Sequence, residues 1–151
     1  MLKLPRKVLF SVEAVLDIAY HSSGRLASSR DITRRQGIPR RYLEQVLQQL
    51  VRGGILIGKR GPKGGYRLSR ERRRIMVGDI IRCIWQTEIP ESKSDFKLDS
   101  ELGVKVLEPL WDHIQVIAIR QLDNTSIEDL CSKAKKAGVK GEGNYNHDFI
   151  I

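Results

Sequence analysis

The sequence predicts a mainly α-helical protein that carries one small β-hairpin. Three segments before residue 53 repeat apolar residues at helical spacing, and further helical patterns follow residue 76. Between them, two short apolar segments flank a turn rich in glycine and proline, which indicates a hairpin. This order is typical of a winged helix-turn-helix followed by a C-terminal dimerisation helix. We expect the winged domain in residues 1–75 and a dimerisation and possible sensing region in residues 76–151.

Three helices are predicted in the first third of the chain, over residues 7–21, 29–36 and 40–52. Ser28 or Ser29 can cap the second helix, and Gly37 ends it in a tight turn. The third helix buries one apolar stripe, while its opposite face carries the polar side chains of Arg41, Glu44, Gln45, Gln48 and Arg52. A short helix, a glycine turn and a longer helix form the helix-turn-helix motif, whose second helix reads the major groove of DNA.

A basic hairpin is predicted directly after this helix. Residues 55–60 and 66–68 are its strands, and the turn between them is rich in glycine. A cationic wing over residues 59–67 can follow phosphates or place an arginine in a narrow minor groove. Its turn lacks the spacing of a phosphate-binding loop, so nucleotide binding is rejected. The arginine run at residues 72–74 is expected to be a solvated loop.

The C-terminal half predicts helices over 77–85 and 101–122, with a loop over 87–100 between them. Pro109 marks a kink or the true start of the second of these helices. That helix is apolar on more than one side, which favours cover by a second subunit. Its main stripe consists of Leu102, Val106, Leu110, Ile114 and Ile117. A capping box at Thr125 and Glu128 opens a last helix, which ends before Gly138.

Basic charge is concentrated in the first half of the chain. Residues 1–74 contain 18 lysines and arginines and five acidic residues, within a chain of net charge +9. A polyanion such as nucleic acid is the expected partner, and an anionic membrane surface is the alternative. No apolar run approaches the ~20 residues of a membrane span. Glu13 and Asp17 interrupt the first apolar segment, so we expect no signal peptide, no membrane partner and a cytoplasmic protein.

The sequence suggests no enzyme. Sets of Ser/His/Asp, paired carboxylates or Cys/His do not cluster along it, so no catalytic and no metal-ligating residue is assigned. Cys83 and Cys131 are too far apart in sequence to form a metal motif. Both are expected to be buried structural thiols rather than redox sensors, with Cys131 the more exposed of the two.

Four motifs together resemble one family of bacterial winged-helix regulators, typified by the iron–sulfur cluster regulator (IscR) and the cysteine metabolism repressor (CymR). They lie at residues 16–19, 37–45, 60–66 and 77–81. The resemblance implies a homodimer with a long helix crossing between subunits, base reading by Arg41, Glu44 and Gln45, and entry of Arg60 into the minor groove. With the neighbouring polar residues, the expected DNA-binding set is Ser29, Arg40, Arg41, Tyr42, Glu44, Gln45, Gln48, Lys59, Arg60 and Lys63.

One departure from the resemblance led to an expectation about cofactors. Cluster-binding members carry three cysteines and commonly a histidine before the dimerisation helix, whereas residues 88–111 here contain neither. Because thiolates are the usual ligands of iron–sulfur clusters, we expect no cluster and no other cofactor. The function expected is that of a homodimeric repressor reading a two-fold-related operator in double-stranded DNA. The alternative is a winged-helix module that mainly binds a protein partner, and a regulatory protein partner is compatible with both.

Overall fold

The computed structural model describes residues 4–88 and 98–142, with the side chains of 86–88 outside the description. It confirms the predicted fold class, a mainly helical chain with one antiparallel hairpin. Its elements, in chain order, are α1 (Arg6–His21), α2 (Ser29–Gln36), α3 (Arg40–Arg52), β1 (Leu56–Lys59), β2 (Gly65–Leu68), a 3₁₀ turn (Arg72–Arg74), α4 (Val77–Glu88), a π-helical turn (Gly103–Leu107), α5 (Glu108–Asp123) and α6 (Ile127–Lys136). The predicted loop over 87–100 lies mostly outside the described residues.

The core lies where α1, α3 and α4 meet. Each helix contributes a row of apolar side chains at helical spacing, since such a stripe must be buried against another element. These rows are Val8, Ala14, Val15 and Ile18 in α1, Leu43, Val46, Leu47 and Leu50 in α3, and Ile80, Ile81 and Ile84 in α4. Burial of each large side chain contributes roughly 1.5–3 kcal/mol, so this cluster fixes the inner face of α3 against α1 and α4.

The turn between α2 and α3 has the geometry that its sequence predicts. Ser28 Oγ accepts the backbone N–H of Asp31 at 3.1 Å, which makes Ser28, not Ser29, the N-cap of α2. Gly37 takes a φ of +68°, a left-handed conformation that glycine adopts without steric cost. Its N–H donates to the Thr33 carbonyl at 2.8 Å, and Ile38 is fully buried. The turn therefore fixes α3 relative to α2.

The hairpin is joined to the connection between α1 and α2. Strand β1 pairs antiparallel with β2, placing Lys59 opposite Gly65 and Leu56 opposite Leu68. Tyr66 and Ala27 exchange two backbone hydrogen bonds of 2.8 Å, which adds a third short strand segment. A Cβ at Gly65 would lie 2.6 Å from the Ala27 carbonyl oxygen, so only glycine permits this close approach.

A buried carboxylate connects α1 with α2. Asp17 is 2% exposed, and Arg35 donates to both of its oxygens, at 2.9 and 2.7 Å. Gln36 Nε2 donates to the same carboxylate at 2.5 Å. The C-terminal segment joins this cluster, because Glu142 pairs with Arg35 at 2.9 Å and its backbone N–H donates to His21 Nδ1 at 3.1 Å. Sequence patterns that described Asp17 only as an interruption of an apolar stretch missed this role.

The C-terminal helices confirm one detail of the prediction and correct another. A π-helical turn precedes α5, and Pro109 lies in the first turn of α5, where proline is tolerated, so of the two predicted alternatives it marks the start of this helix. The capping box of α6 is one residue later than predicted: Ser126 and Asp129 form it, with reciprocal hydrogen bonds of 3.0 and 2.9 Å. Helix α6 ends at Lys136, before Gly138 as expected.

Substitution of Asp17 by alanine is expected to destabilise the fold by about 3–5 kcal/mol, because it leaves the largely buried Arg35 without its main partner. Urea unfolding followed by circular dichroism measures this loss. The control, Glu71→Ala, breaks an exposed pair with Arg73 of 2.5 Å and is expected to cost under about 1 kcal/mol. Equal losses in the two variants would contradict the structural role of Asp17.

Stability is expected to fall as the pH drops below about 6.5, in part through His21. Burial lowers the pKa of His21, although the Asp17 carboxylate opposes this shift. The unfolded chain therefore binds a proton at His21 more readily than the native chain does. The stability that depends on a neutral His21 is fully present above the unfolded pKa, and it is lost as the pH falls towards the lower native pKa. Unfolding midpoints at pH 7.5 and 5.5 test this: His21→Gln should reduce the difference, and the exposed His113→Gln should not.

Candidate nucleic-acid interface

The outer face of α3 is available to a ligand along its length. Arg41, Gln45 and Gln48 are exposed there, and Arg41 has no ion-pair partner within residues 4–88 and 98–142. Glu44 is only half-buried and pairs with Arg40 at 3.2 Å, one helical turn away. The predicted polar face is therefore one continuous surface. Arginine, glutamine and glutamate are side chains that match guanine, adenine and cytosine edges in the major groove.

Two members of the expected DNA-binding set are less accessible. The ring of Tyr42 is half-buried and stacks edge-on against Phe10, with ring centroids 5.6 Å apart. Ser29 is the first residue of α2 and is also half-buried. Tyr42 therefore also helps to seat α3 on α1, whatever its hydroxyl contacts.

The wing adds cations at the turn of the hairpin. Lys59, Arg60 and Lys63 are exposed, and no carboxylate among the described residues forms an ion pair with them. A Cβ at Gly64 would lie 2.1 Å from the Lys59 carbonyl oxygen, so glycine is required for this tight turn. Unpaired cations on a narrow hairpin are suited to phosphate contacts.

The arginine run differs from the wing in its electrostatics. Its three residues form an exposed 3₁₀ turn, but Arg72 pairs with Glu128 and Arg73 pairs with Glu71. Their charge is thus partly neutralised within the chain. This agrees with the expectation of a solvated segment rather than a phosphate contact.

The end of α3 is seated on α4 through a contact that the sequence patterns did not reveal. A Cβ at Gly53 would lie 2.1 Å from Cys83 Sγ, and the Cys83 thiol donates to the Gln49 carbonyl at 3.5 Å. In the sequence, Gly53 is simply the residue that follows the helix predicted over 40–52. Cys83 lies 30 residues further along the chain, on another helix. Its contact with Gly53 therefore leaves no periodic pattern in the sequence.

The helix predicted to form the dimer interface leaves its apolar side chains uncovered. Leu102 is 74% exposed, and more than half of Val106, Leu110 and Ile117 is exposed as well, whereas Ile114 is half-buried. Trp111 and Val116 add to this surface. So much contiguous apolar surface on one helix marks an interaction site.

Neither cysteine is fully exposed. Cys131 is buried and Cys83 half-buried, the reverse of the expected order, and burial raises the pKa of both thiols. Within residues 4–88 and 98–142, no three His, Cys, Asp or Glu side chains come together in a way that could hold a metal ion. In the same part of the chain, no helix is both long and apolar enough to cross a membrane.

The chain matches a family model over residues 4–133, that of Rrf2, described as an iron-dependent transcriptional regulator. It is 34% identical to the HTH-type transcriptional regulator IscR of Photobacterium profundum over 130 residues, covering 85% of this chain and 75% of the relative. It is 29% identical to Protein rrf2 of Nitratidesulfovibrio vulgaris over 88% of this chain and 89% of the relative.

Solved structures agree with these relatives. The chain superimposes on IscR of T. potens with a TM-score of 0.73 and 32% identity, covering 92% of this chain and 93% of that one. CymR, the global cysteine regulator of B. subtilis, gives a TM-score of 0.69 and 32% identity over 88% and 98% of the two chains. Both the fold and the order of its elements are thus those of known regulators.

The expectation that the protein uses no cofactor is wrong. It rested on the lack of cysteine in residues 88–111, but the chain carries Cys83 and Cys131 outside that segment. The matching family is described as iron-dependent, and its relatives include regulators named IscR. A gap in one segment therefore does not decide the cofactor of the whole chain.

Family, fold and surface lead to the same assignment. The match covers most of the chain, and α3 and the wing present polar and cationic side chains in the arrangement of a winged helix-turn-helix. The members named above are regulators of transcription and not enzymes. The chain therefore belongs to the Rrf2 family and is a DNA-binding transcription regulator.

Proposed function

We propose that the protein is a homodimeric repressor that acts in the cytoplasm and reads a two-fold-related operator through α3 and the wing. The observation that carries this proposal is the continuous exposed face of α3, bordered by the unpaired cations of the wing. Relatives that are transcription regulators support DNA as the main partner over a protein-interaction module. A regulatory protein that modulates DNA binding remains compatible with this function.

We assign different roles to the residues of this surface. Lys59, Arg60 and Lys63 contact phosphates or the minor groove, while Arg41, Gln45 and Gln48 face base edges. Phosphate contacts position the protein without distinguishing sequences, whereas base contacts discriminate between them. We also assign a phosphate contact to Ser29 at the start of α2, since a helix N-terminus favours anions.

Arg40 and Glu44 form a pair that DNA can rearrange. Their 3.2 Å contact is exposed on both sides, so breaking it costs little. In the complex, Arg40 can move to a phosphate and release Glu44 to accept a hydrogen bond from cytosine N4. Glu44 then disfavours bases that offer only acceptors at that position. This arrangement would make the pair a specificity element rather than a purely structural one.

We propose that the uncovered stripe of α5 and the preceding turn packs against the same stripe of a second copy. Most soluble oligomers are symmetric, and a two-fold dimer uses the same patch on both subunits. Two winged domains held in this way would contact two half-sites whose separation follows from the dimer geometry. The exposure of Leu102, Val106, Leu110 and Ile117 supports this interface.

Arg41→Ala is expected to lower the discrimination at one operator position by about 1–3 kcal/mol, because a base contact is lost. Lys63→Ala is expected to weaken operator and random duplex alike and to reduce the salt slope by about one unit. Sites selected from random DNA provide the operator, and fluorescence anisotropy at several salt concentrations measures affinity.

The matched control for these variants is Arg73→Ala, which removes one positive charge that already pairs with Glu71. It should leave both affinities close to those of the wild type. The proposed division of roles is wrong if Arg41→Ala and Lys63→Ala change specific and random binding by the same factor.

The double variant Leu110→Glu and Ile117→Glu is expected to weaken dimerisation at least about a hundredfold, since two buried apolar contacts would become charged. Sedimentation velocity over a concentration series measures the change. Lys136→Glu also adds negative charge to an exposed helix, but away from the stripe, and should leave the dimer intact. A wild-type protein that sediments as a monomer at all concentrations would refute the proposed interface.

A further inference from the structure

A cavity of about 550 Å³ lies between the C-terminal end of α1, the base of the wing and α6. Its apolar lining comes from Ile18, Leu68 and Cys131, which are buried or half-buried. This volume lies within the usual range of small-molecule sites, which combine an apolar wall with a few polar groups. The cavity has no α3 residue in its lining, and none of the ten residues of the expected DNA-binding set lines it, although Arg67 belongs to the wing predicted over residues 59–67.

The charges around this cavity are unbalanced. Its two carboxylates are already engaged, since Glu128 pairs with Arg72 and Glu71 with Arg73. In contrast, three further cations on its wall form no ion pair with any described carboxylate: Arg25, Arg67 and Lys135. They come from three different parts of the fold, the loop after α1, strand β2 and helix α6. A concave site with three unpaired cations attracts an anion.

We propose that this cavity binds a small organic anion, in which a carboxylate or phosphate group is joined to an apolar body. The anionic group would contact Arg67 and Lys135, because arginine offers a planar fork of donors and lysine a mobile ammonium. The apolar body would pack against Ile18 and Leu68. Mixed lining of this kind selects against both inorganic ions and uncharged ligands.

Arg67 and Lys135 connect the wing with the C-terminal half. Arg67 belongs to β2, the strand that follows the wing turn, and Lys135 belongs to α6, the last helix. An anion that bridges them would hold the wing against α6. If the anion changes the affinity of the wing for DNA in this way, DNA changes the affinity for the anion by the same factor, because coupling between two sites is reciprocal.

DNA is the competing occupant of these cations, and the register of the hairpin argues against it. Lys59 pairs with Gly65 at the wing turn, whereas Arg67 pairs with Ile57 and Leu68 with Leu56, towards the base of the hairpin. Arg67 thus lies towards the base of the hairpin, on the side away from its turn. The cavity cations also share a wall with α6, which is not part of the helix-turn-helix.

The test measures binding of phenyl phosphate and of inorganic phosphate to the full chain by isothermal titration calorimetry, without DNA and at constant ionic strength. Phenyl phosphate should bind in saturable fashion and at least tenfold more tightly than inorganic phosphate, because its ring buries apolar surface. The variant Arg67→Gln with Lys135→Gln should weaken phenyl phosphate at least tenfold. The matched control, Lys133→Gln with Lys136→Gln, removes two charges from α6 outside the cavity and should change the affinity less than twofold.

Three outcomes would overturn the proposal. The first is the absence of saturable phenyl phosphate binding, and the second is equal weakening of that binding by the cavity pair and the control pair. The third is that the double variant Arg67→Gln with Lys135→Gln binds random duplex more weakly but phenyl phosphate as tightly as the wild type does. That result would make these cations DNA contacts. Thermal unfolding of each variant verifies its folding, and the absence of DNA from the titration keeps this result independent of the operator proposal.

Discussion

The buried carboxylate of Asp17 is the interaction on which the relative placement of the first two helices depends. An ionised group in the interior is tolerated only when its charge and lone pairs are satisfied, and Arg35 and Gln36 satisfy it. Both donors come from the last turn of α2, so the pair fixes the helix that precedes the turn into α3. The contact of Arg35 with Glu142 extends the same cluster to the C-terminal segment. The Asp17 carboxylate thus connects α2 with α1 and, through Arg35, with the C-terminal segment.

The apolar side chains of the N-terminal helices are buried within the chain, whereas many of those on α5 are exposed. Helices α1, α3 and α4 bury their stripes against one another, whereas α5 contacts mainly α4 and the preceding turn. A helix that is apolar on several sides needs cover on several sides, and the described residues cover α5 mainly on one. The side chains of Leu110 and Ile117 stay exposed there. The proposed dimer surface and the proposed DNA-reading surface therefore lie on different helices.

Local signals account for what the sequence predicts correctly, and long-range contacts account for what it misses. The bounds of α2 and α3 follow from Ser28, Gly37 and the apolar spacing, all of which act within a few residues. The partner of Asp17 lies 18 residues away, and that of Gly53 lies on α4, so neither has a local pattern. The shifted capping box shows the same limit at short range, because Thr125 and Ser126 both have a suitable acid three residues later and only packing selects between them.

The distribution of paired and unpaired charge separates structural cations from functional ones. Arg35 and Arg82 are held by carboxylates of neighbouring helices, so their charge stabilises the fold and offers little to a ligand. Arg41 and Arg60 have no such partner in the part of the chain that the structure describes, and they lie on α3 and on the wing, the surfaces proposed to contact DNA. The net charge of +9 already subtracts such paired groups, but it does not show where the unpaired cations lie. By the same reasoning, unpaired cations around a concave site away from α3 indicate a second anionic ligand, because a fold has no structural use for like charges brought together.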